Sequence, residues 1–138
     1  MMKIFFDFRS PQEHYHNTAA FLRCSDQRFE DAQRAFEATI GLQMADPIVL
    51  PGGVKNLVTP KDPRDREFIL EQIELLKGHG FTTLYAMAHN ECAACNGNTD
   101  RAFYEEMLKA AGEIIRVRIP GLEIRLIFAD FDGLYEVV

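Results

Sequence analysis

The stretch Thr82-Thr-Leu-Tyr-Ala-Met-Ala-His89-Asn-Glu-Cys92-Ala-Ala-Cys95 decides how the chain is read. Residues 82–88 are a short, apolar run rich in β-compatible side chains, which predicts a buried strand. The run stops at a histidine, two thiols and an Asn96-Gly97 turn. Imidazole and thiolate at this spacing suit Zn²⁺, a borderline-soft ion that takes N and S donors tetrahedrally. A strand delivering such ligands from its C-terminal end aims them into the crevice where open α/β sheets keep their sites. HxxC alone is a weak signal, so a second fragment must complete the set.

That fragment is Cys24-Ser-Asp26-Gln-Arg28, which follows the apolar run Ala19-Ala-Phe-Leu-Arg23. Around these two strand ends the rest falls into alternating order. Phe29, Ala32, Phe36 and Ile40 recur at helical spacing, and Gly41 is placed to end that helix. Ile48–Leu50 reads as a strand that stops at Pro51-Gly52-Gly53, where glycine permits a tight turn or close approach to a ligand. Asp62-Pro63 starts a helix with a capping aspartate, proline in the first turn and Asp65 favourably placed for the dipole. Its expected buried stripe is Phe68, Ile69, Ile73 and Leu76, with Gly78 or Gly80 at its end.

After the 82–88 strand, Asn98, Thr99 or Asp100 can cap a helix with Phe103, Met107, Ala110 and Ile114 inward. Pro120-Gly121 leads into a strand over 122–128, with Leu122, Ile124, Leu126 and Phe128 on one face. Asp132-Gly133 is a hairpin signal. The alternation predicts an α/β fold: a mostly parallel central sheet of about four to five strands flanked by helices on both faces. Residues 1–138 read as one domain, with 1–17 as an N-terminal arm in which Ile4, Phe5, Phe6 and Phe8 form a strand or packing arm. His14 and His16 in that arm are candidate ligands or, more simply, exposed linker residues. His79, between two glycines, reads as an exposed helix-terminal residue.

Composition narrows the functional classes. The 138 residues are 47% hydrophobic and 26% charged, with a net charge of −6 and a pI near 5.2. An acidic chain of this kind lacks the basic face a nucleic-acid binder needs. No apolar run approaches the roughly 20 residues of a membrane span, and the start reaches charge too early for a secretory signal. Three cysteines, an odd number, point to reduced thiols and a cytoplasmic setting rather than a disulfide framework.

If the strands ending at Cys24 and His89 are neighbours, both ligands reach one crevice, and Cys92 can close on the same ion. Three protein ligands leave a fourth position for water, as in a catalytic zinc site. Asp26 can take that fourth position or stand back and accept a hydrogen bond from water. Arg28, a planar fork, can hold the carboxylate bidentately.

Cys24-x-Asp26-x-Arg28 followed by His89-x-x-Cys92 resembles the two-part zinc signature of the β-class carbonic anhydrases. The resemblance covers roughly residues 19–95 and the last strand. It implies zinc on Cys24, His89 and Cys92, with Asp26 and Arg28 as the gating dyad. It also implies zinc-bound hydroxide attacking CO₂ to give bicarbonate, although the same fold hosts hydrolysis of COS or CS₂. Gly52 and Gly53 fall where the family has a glycine-containing strand end, a candidate for substrate-pocket backbone. A homodimer or higher homo-oligomer is implied as well.

The chain departs from the family pattern at Ala93, where glycine is usual, and at Leu50-Pro51, where Arg-Asn is usual. The helical arm is short, and the residues a neighbouring subunit gives to the pocket have no counterpart. Two other readings therefore stand beside the first. One is a non-catalytic zinc domain whose fourth ligand is Asp26 or Cys95. The other is a CxxC redox protein using Cys92 and Cys95.

Overall fold

In a computed structural model, which describes every residue except Tyr15, Gln43 and Met44, the described residues form five strands and four α-helices. They run β1 (Ala19–Cys24), α1 (Glu30–Thr39), β2 (Asp46–Leu50), α2 (Lys55–Val58), α3 (Pro63–Lys77), β3 (Thr83–His89), α4 (Arg101–Arg118), β4 (Glu123–Asp130) and β5 (Gly133–Val137). Short 3₁₀ turns at Gln27–Phe29 and Ala93–Cys95 follow the two motif strands. One sheet has the order β2-β1-β3-β4-β5. The first four strands are parallel, and β5 turns back antiparallel on β4.

This order has a direct consequence. The chain leaves β1 for one side of the sheet (β2) and returns to the other (β3). The C-terminal ends of β1 and β3 therefore flank a topological switch point, where such sheets form crevices. In register, Arg23 lies opposite Met87, so Cys24 and His89 leave adjacent strands at nearly the same level.

Local chemistry sets the helix limits. Asp62 accepts from Arg64 N while Asp65 accepts from Asp62 N, a capping box with Pro63 in the first turn. Asp100 caps α4 by accepting from Ala102 N at 3.0 Å. Past α1, Gly41 adopts φ +75°. There Gly41 N donates to Ala38 O and Leu42 N to Glu37 O, the paired bonds of a Schellman stop.

Three stripes differ from those expected. On α3 the buried residues are Ile69, Leu70 and Ile73, while Phe68 is 58% exposed and Leu76 only half-buried. Phe68-Ile-Leu70 is apolar on three successive positions, so spacing alone could not choose the face. On α4 the stripe is Tyr104, Met107, Leu108, Ala111 and Ile115, turned from the expected Phe103, Ala110 and Ile114. On α1 the buried side chains are Gln33 and Glu37; Ala32 and Phe36 are half-buried and Ile40 is exposed. Phe29 is buried but sits in the 3₁₀ turn, not on the helix.

The sheet separates two cores. On one face, Leu22, Leu84, Ala86, Leu126 and Phe128 pack with the stripes of α2, α3 and α4. On the other, Phe21, Tyr85, Met87 and Ile127 pack with Phe29 and Phe36. The alternation expected for residues 122–128 holds: Leu122, Ile124, Leu126 and Phe128 share the first face. The hairpin joins Asp130 to Gly133 across Phe131-Asp132. Residues 1–14 form no strand and are exposed, including Ile4, Phe5, Phe6 and Phe8, so the arm does not pack on its own chain. His79 is half-buried, with Nδ1 3.1 Å from the buried Asp46 carboxylate, so it is not the exposed helix-terminal residue expected. No helix among the described residues is long and apolar enough to cross a membrane.

Candidate metal centre

The ligand atoms of Cys24, His89 and Cys92 lie within 4.8 Å of one another. Among the described residues this is the one such cluster of three. Each element contributes for a local reason. Strand alternation puts Ala20, Leu22 and Cys24 toward the α2–α4 face. β3 ends at His89, and the chain then reverses through Glu91, which adopts φ +54°. Glu91 N donates to Asn90 Oδ1 at 2.8 Å and to Asn98 O at 3.1 Å. These bonds hold a backbone conformation that non-glycine residues rarely take. The reversal brings Cys92 back beside the strand end.

The state of the imidazole is fixed by its neighbours. His89 Nδ1 is 2.8 Å from the Asn90 carbonyl oxygen, which can only accept, so Nδ1 carries the proton. Nε2 is then the nitrogen with the lone pair, and it is buried with no hydrogen-bond partner. A buried acceptor left unpaired costs about 1–3 kcal/mol, and a cation would satisfy it. A carbonyl oriented on the far nitrogen is the usual support for a metal-binding histidine. Phe29 lies against the ring at 4.8 Å between centroids and fixes its plane.

The surroundings of Cys24 and Cys92 favour the thiol over the thiolate. The neighbouring Cys92 thiol and burial push Cys24 up to about 11. The Cys24 contact lowers Cys92, but Cys95 and burial outweigh it and leave Cys92 raised. For His89, burial opposes the charge, yet Cys24, the Asn90 carbonyl and Asp26 outweigh it and raise the pKa. A cation binding here would displace protons, so its affinity would rise with pH. Gly52 N donates to Cys24 Sγ at 3.3 Å, which favours the thiolate.

Gly52 and Gly53 are thus part of the frame rather than a simple turn. Both have positive φ, and a Cβ on Gly53 would sit 2.5 Å from the backbone of Arg23 and Cys24. Only glycine allows β2 to end this close to β1.

Beside the cluster, Asp26 and Arg28 form a bidentate pair. Arg28 Nη2 donates to Asp26 Oδ2 at 2.8 Å and Nε reaches both oxygens. The Arg28 guanidinium holds the Asp26 carboxyl at about 2. Asp26 Oδ2 stands 3.8 Å from His89 Nε2. Arg28 also reaches Glu91 Oε2 at 3.3 Å and lies over the Phe131 ring at 5.2 Å.

Cys95 is buried on the 3₁₀ turn and is not among the three clustered residues. Contact with Cys92 lowers its pKa. His14 and His16 are exposed on the arm and take no part in the cluster. Sequence reading missed Tyr104. Its hydroxyl accepts from Cys92 N at 3.2 Å and donates to Asn98 O at 2.7 Å, fixing the loop that carries Cys92. A tyrosine in the first turn of α4, beside the expected Phe103, was the available signal.

No protein-family model and no curated protein matches the sequence. Solved structures match in architecture. A carbonic anhydrase from Streptococcus mutans is 16% identical with a TM-score of 0.62, over 93% of this chain and 88% of that one. A β-carbonic anhydrase from the protozoan Trichomonas vaginalis is 13% identical with a TM-score of 0.58, over 96% and 88%. The mostly parallel α/β sheet carrying this Cys-His-Cys group is therefore a β-carbonic anhydrase-like fold.

Proposed function

We propose that the chain is a zinc-dependent lyase of the carbonic anhydrase type, catalysing the reversible hydration of CO₂ to bicarbonate. Cys24, His89 and Cys92 would hold the metal, with Asp26 and Arg28 as the acid–arginine pair beside it. The observation that carries this reading is the buried, unpartnered His89 Nε2 clustered with two thiols next to a clamped carboxylate. Two sulfurs and one nitrogen are a donor set zinc favours, and three ligands leave a position open. Zinc held there would supply the Lewis acidity that makes water nucleophilic near neutral pH.

The chain's own groups have distinct tasks. Asp26, ionised at any working pH, can accept a hydrogen bond from water approaching the cluster. Arg28 pairs with both its oxygens, an arrangement that would tether Asp26 beside the three ligands while leaving lone pairs free for a water. Gly52 N and the Asn90 carbonyl steady the Cys24 sulfur and the His89 ring. Three free thiols fit a reducing compartment such as the cytoplasm.

Zinc content and stopped-flow CO₂ hydration test the reading together. One zinc per chain and measurable turnover are expected, with Asp26→Ala keeping the zinc and losing most of the rate. Zinc-loaded protein that leaves CO₂ hydration at the buffer rate from neutral to alkaline pH refutes the activity. Protein that takes no zinc refutes the site. A homodimer or larger assembly is part of the proposal, because Phe5, Phe6 and Phe8 are far more exposed than a small monomer tolerates as a cluster. Sedimentation at micromolar concentration should give at least twice the chain mass; a monomer there rejects it.

A further inference from the structure

We infer that Arg23, which no motif includes, is a positioning residue that sets where the Asp26 carboxylate stands beside the metal cluster; this rests on the metal-site reading above. Arg23 is the penultimate residue of β1 and points to the face opposite Cys24. Its side chain is buried, a rare state for a guanidinium.

The guanidinium uses its fork in two directions. Toward α1, Nε donates to Gln33 Oε1 and Nη2 pairs with Glu30. Toward the strand end, Nη1 donates to Cys24 O at 2.8 Å and to Asp26 O at 3.5 Å. Those carbonyls bracket the segment that carries both the ligand sulfur and the dyad carboxylate. Behind Arg23 the network continues: Gln33 Nε2 donates to Glu37 Oε1 at 2.7 Å, and Arg34 bridges Glu37 and Glu30. Two arginines face two glutamates, with Arg23 and Glu37 buried and Arg34 and Glu30 reaching solvent, so the network pairs its charges. Arg28 thus holds the Asp26 carboxylate from outside, while Arg23 holds the Asp26 backbone from within.

Stability alone does not call for this arrangement. Replacing a buried ionic network by packed apolar residues is often neutral or stabilising. What an arginine adds is direction: a rigid fork fixes two carbonyls relative to α1, and a lysine has no such geometry.

Cobalt(II)-loaded protein, whose visible bands report the metal's coordination, provides the test with Arg23→Met and Arg23→Lys. Arg23→Met should bind one cobalt per chain yet show shifted bands, with kcat for CO₂ hydration lowered about 10- to 100-fold and KM nearly unchanged. Arg23→Lys should restore the fold without restoring the bands. Folded, loaded Arg23→Met with parental bands and kcat within twofold overturns the inference. So does a loss of rate that follows only the loss of bound cobalt and folded protein, which is the mark of a merely structural residue. If Arg23→Met does not fold, the bands of Arg23→Lys decide: parental bands overturn the inference. Parent protein that binds no cobalt refutes the metal-site reading, and this inference with it. Parent protein that binds cobalt without turnover refutes only the activity, and the bands still judge Arg23.

Discussion

On one face of the sheet, α2, α3 and α4 cover Leu22, Leu84, Ala86 and Leu126 with Leu57, Ile69, Ile73, Leu108 and Ile115. On the other face, α1 lays Gln33 against Arg23 with Glu37 behind it on the Gln33 amide, beside a smaller apolar cluster that includes Phe21, Phe29, Tyr85, Met87 and Ile127. Apolar packing is non-directional, so the first face can hold the strands together but cannot aim a particular carbonyl. The hydrogen-bonded face does the reverse. It adds little net stability per bond, and it fixes the backbone of residues 24–26, where aim matters. The cluster straddles the sheet at the strand ends: Cys24 follows Ala20 and Leu22 toward the apolar face with Cys92, whereas His89 follows Tyr85 and Met87 and packs on Phe29 of the other face.

The largest expected effect comes from breaking the apolar side. Leu108→Ala removes a fully buried side chain from α4 and should cost about 2–5 kcal/mol, read by urea denaturation. Breaking the polar side should cost less. Glu37→Leu leaves the buried Gln33 amide without its acceptor and should cost about 1–3 kcal/mol, most of it recovered by Glu37→Gln. A neutral or stabilising Glu37→Leu, measured the same way, would mean the polar face is dispensable packing and the contrast false.

The same division explains what was legible in the sequence. The grouping of Cys24, His89 and Cys92 was readable because two of the three sit at strand ends: Cys24 and His89 close apolar runs, and α/β alternation brings such ends to one crevice. The capping box at Asp62, the Asp100 cap and the Gly41 stop were readable because their chemistry is local. The stripe of α1 was not. Gln33 and Glu37 become core residues only because Arg23, ten residues upstream of Gln33, turns its charge inward, and periodicity assigns such residues to solvent. Tyr104 was missed for a related reason. Phe103 and Tyr104 both fit helical spacing, and only the distant Cys92 N–H selects the tyrosine. The role of Gly53 was half legible: the turn was expected, but not the 2.5 Å approach to β1 that requires glycine.

The smallest effect tests the boundary of the apolar side. Phe68 stands on α3 next to buried Ile69 but is mostly exposed, so Phe68→Ser should change stability by no more than about 0.5 kcal/mol in dilute solution. The prediction turns on concentration. In an isolated chain the ring contacts mainly water, and its removal exposes nothing new. If a second copy covers it, part of the protein's stability depends on assembly, and the cost of Phe68→Ser must grow with protein concentration. Urea melts over a hundredfold concentration range separate the cases. A flat, near-zero cost leaves α3 as an outer wall of the apolar face. A cost that is large even for dilute monomer would instead place Phe68 inside the core, contradicting the register assigned to this helix.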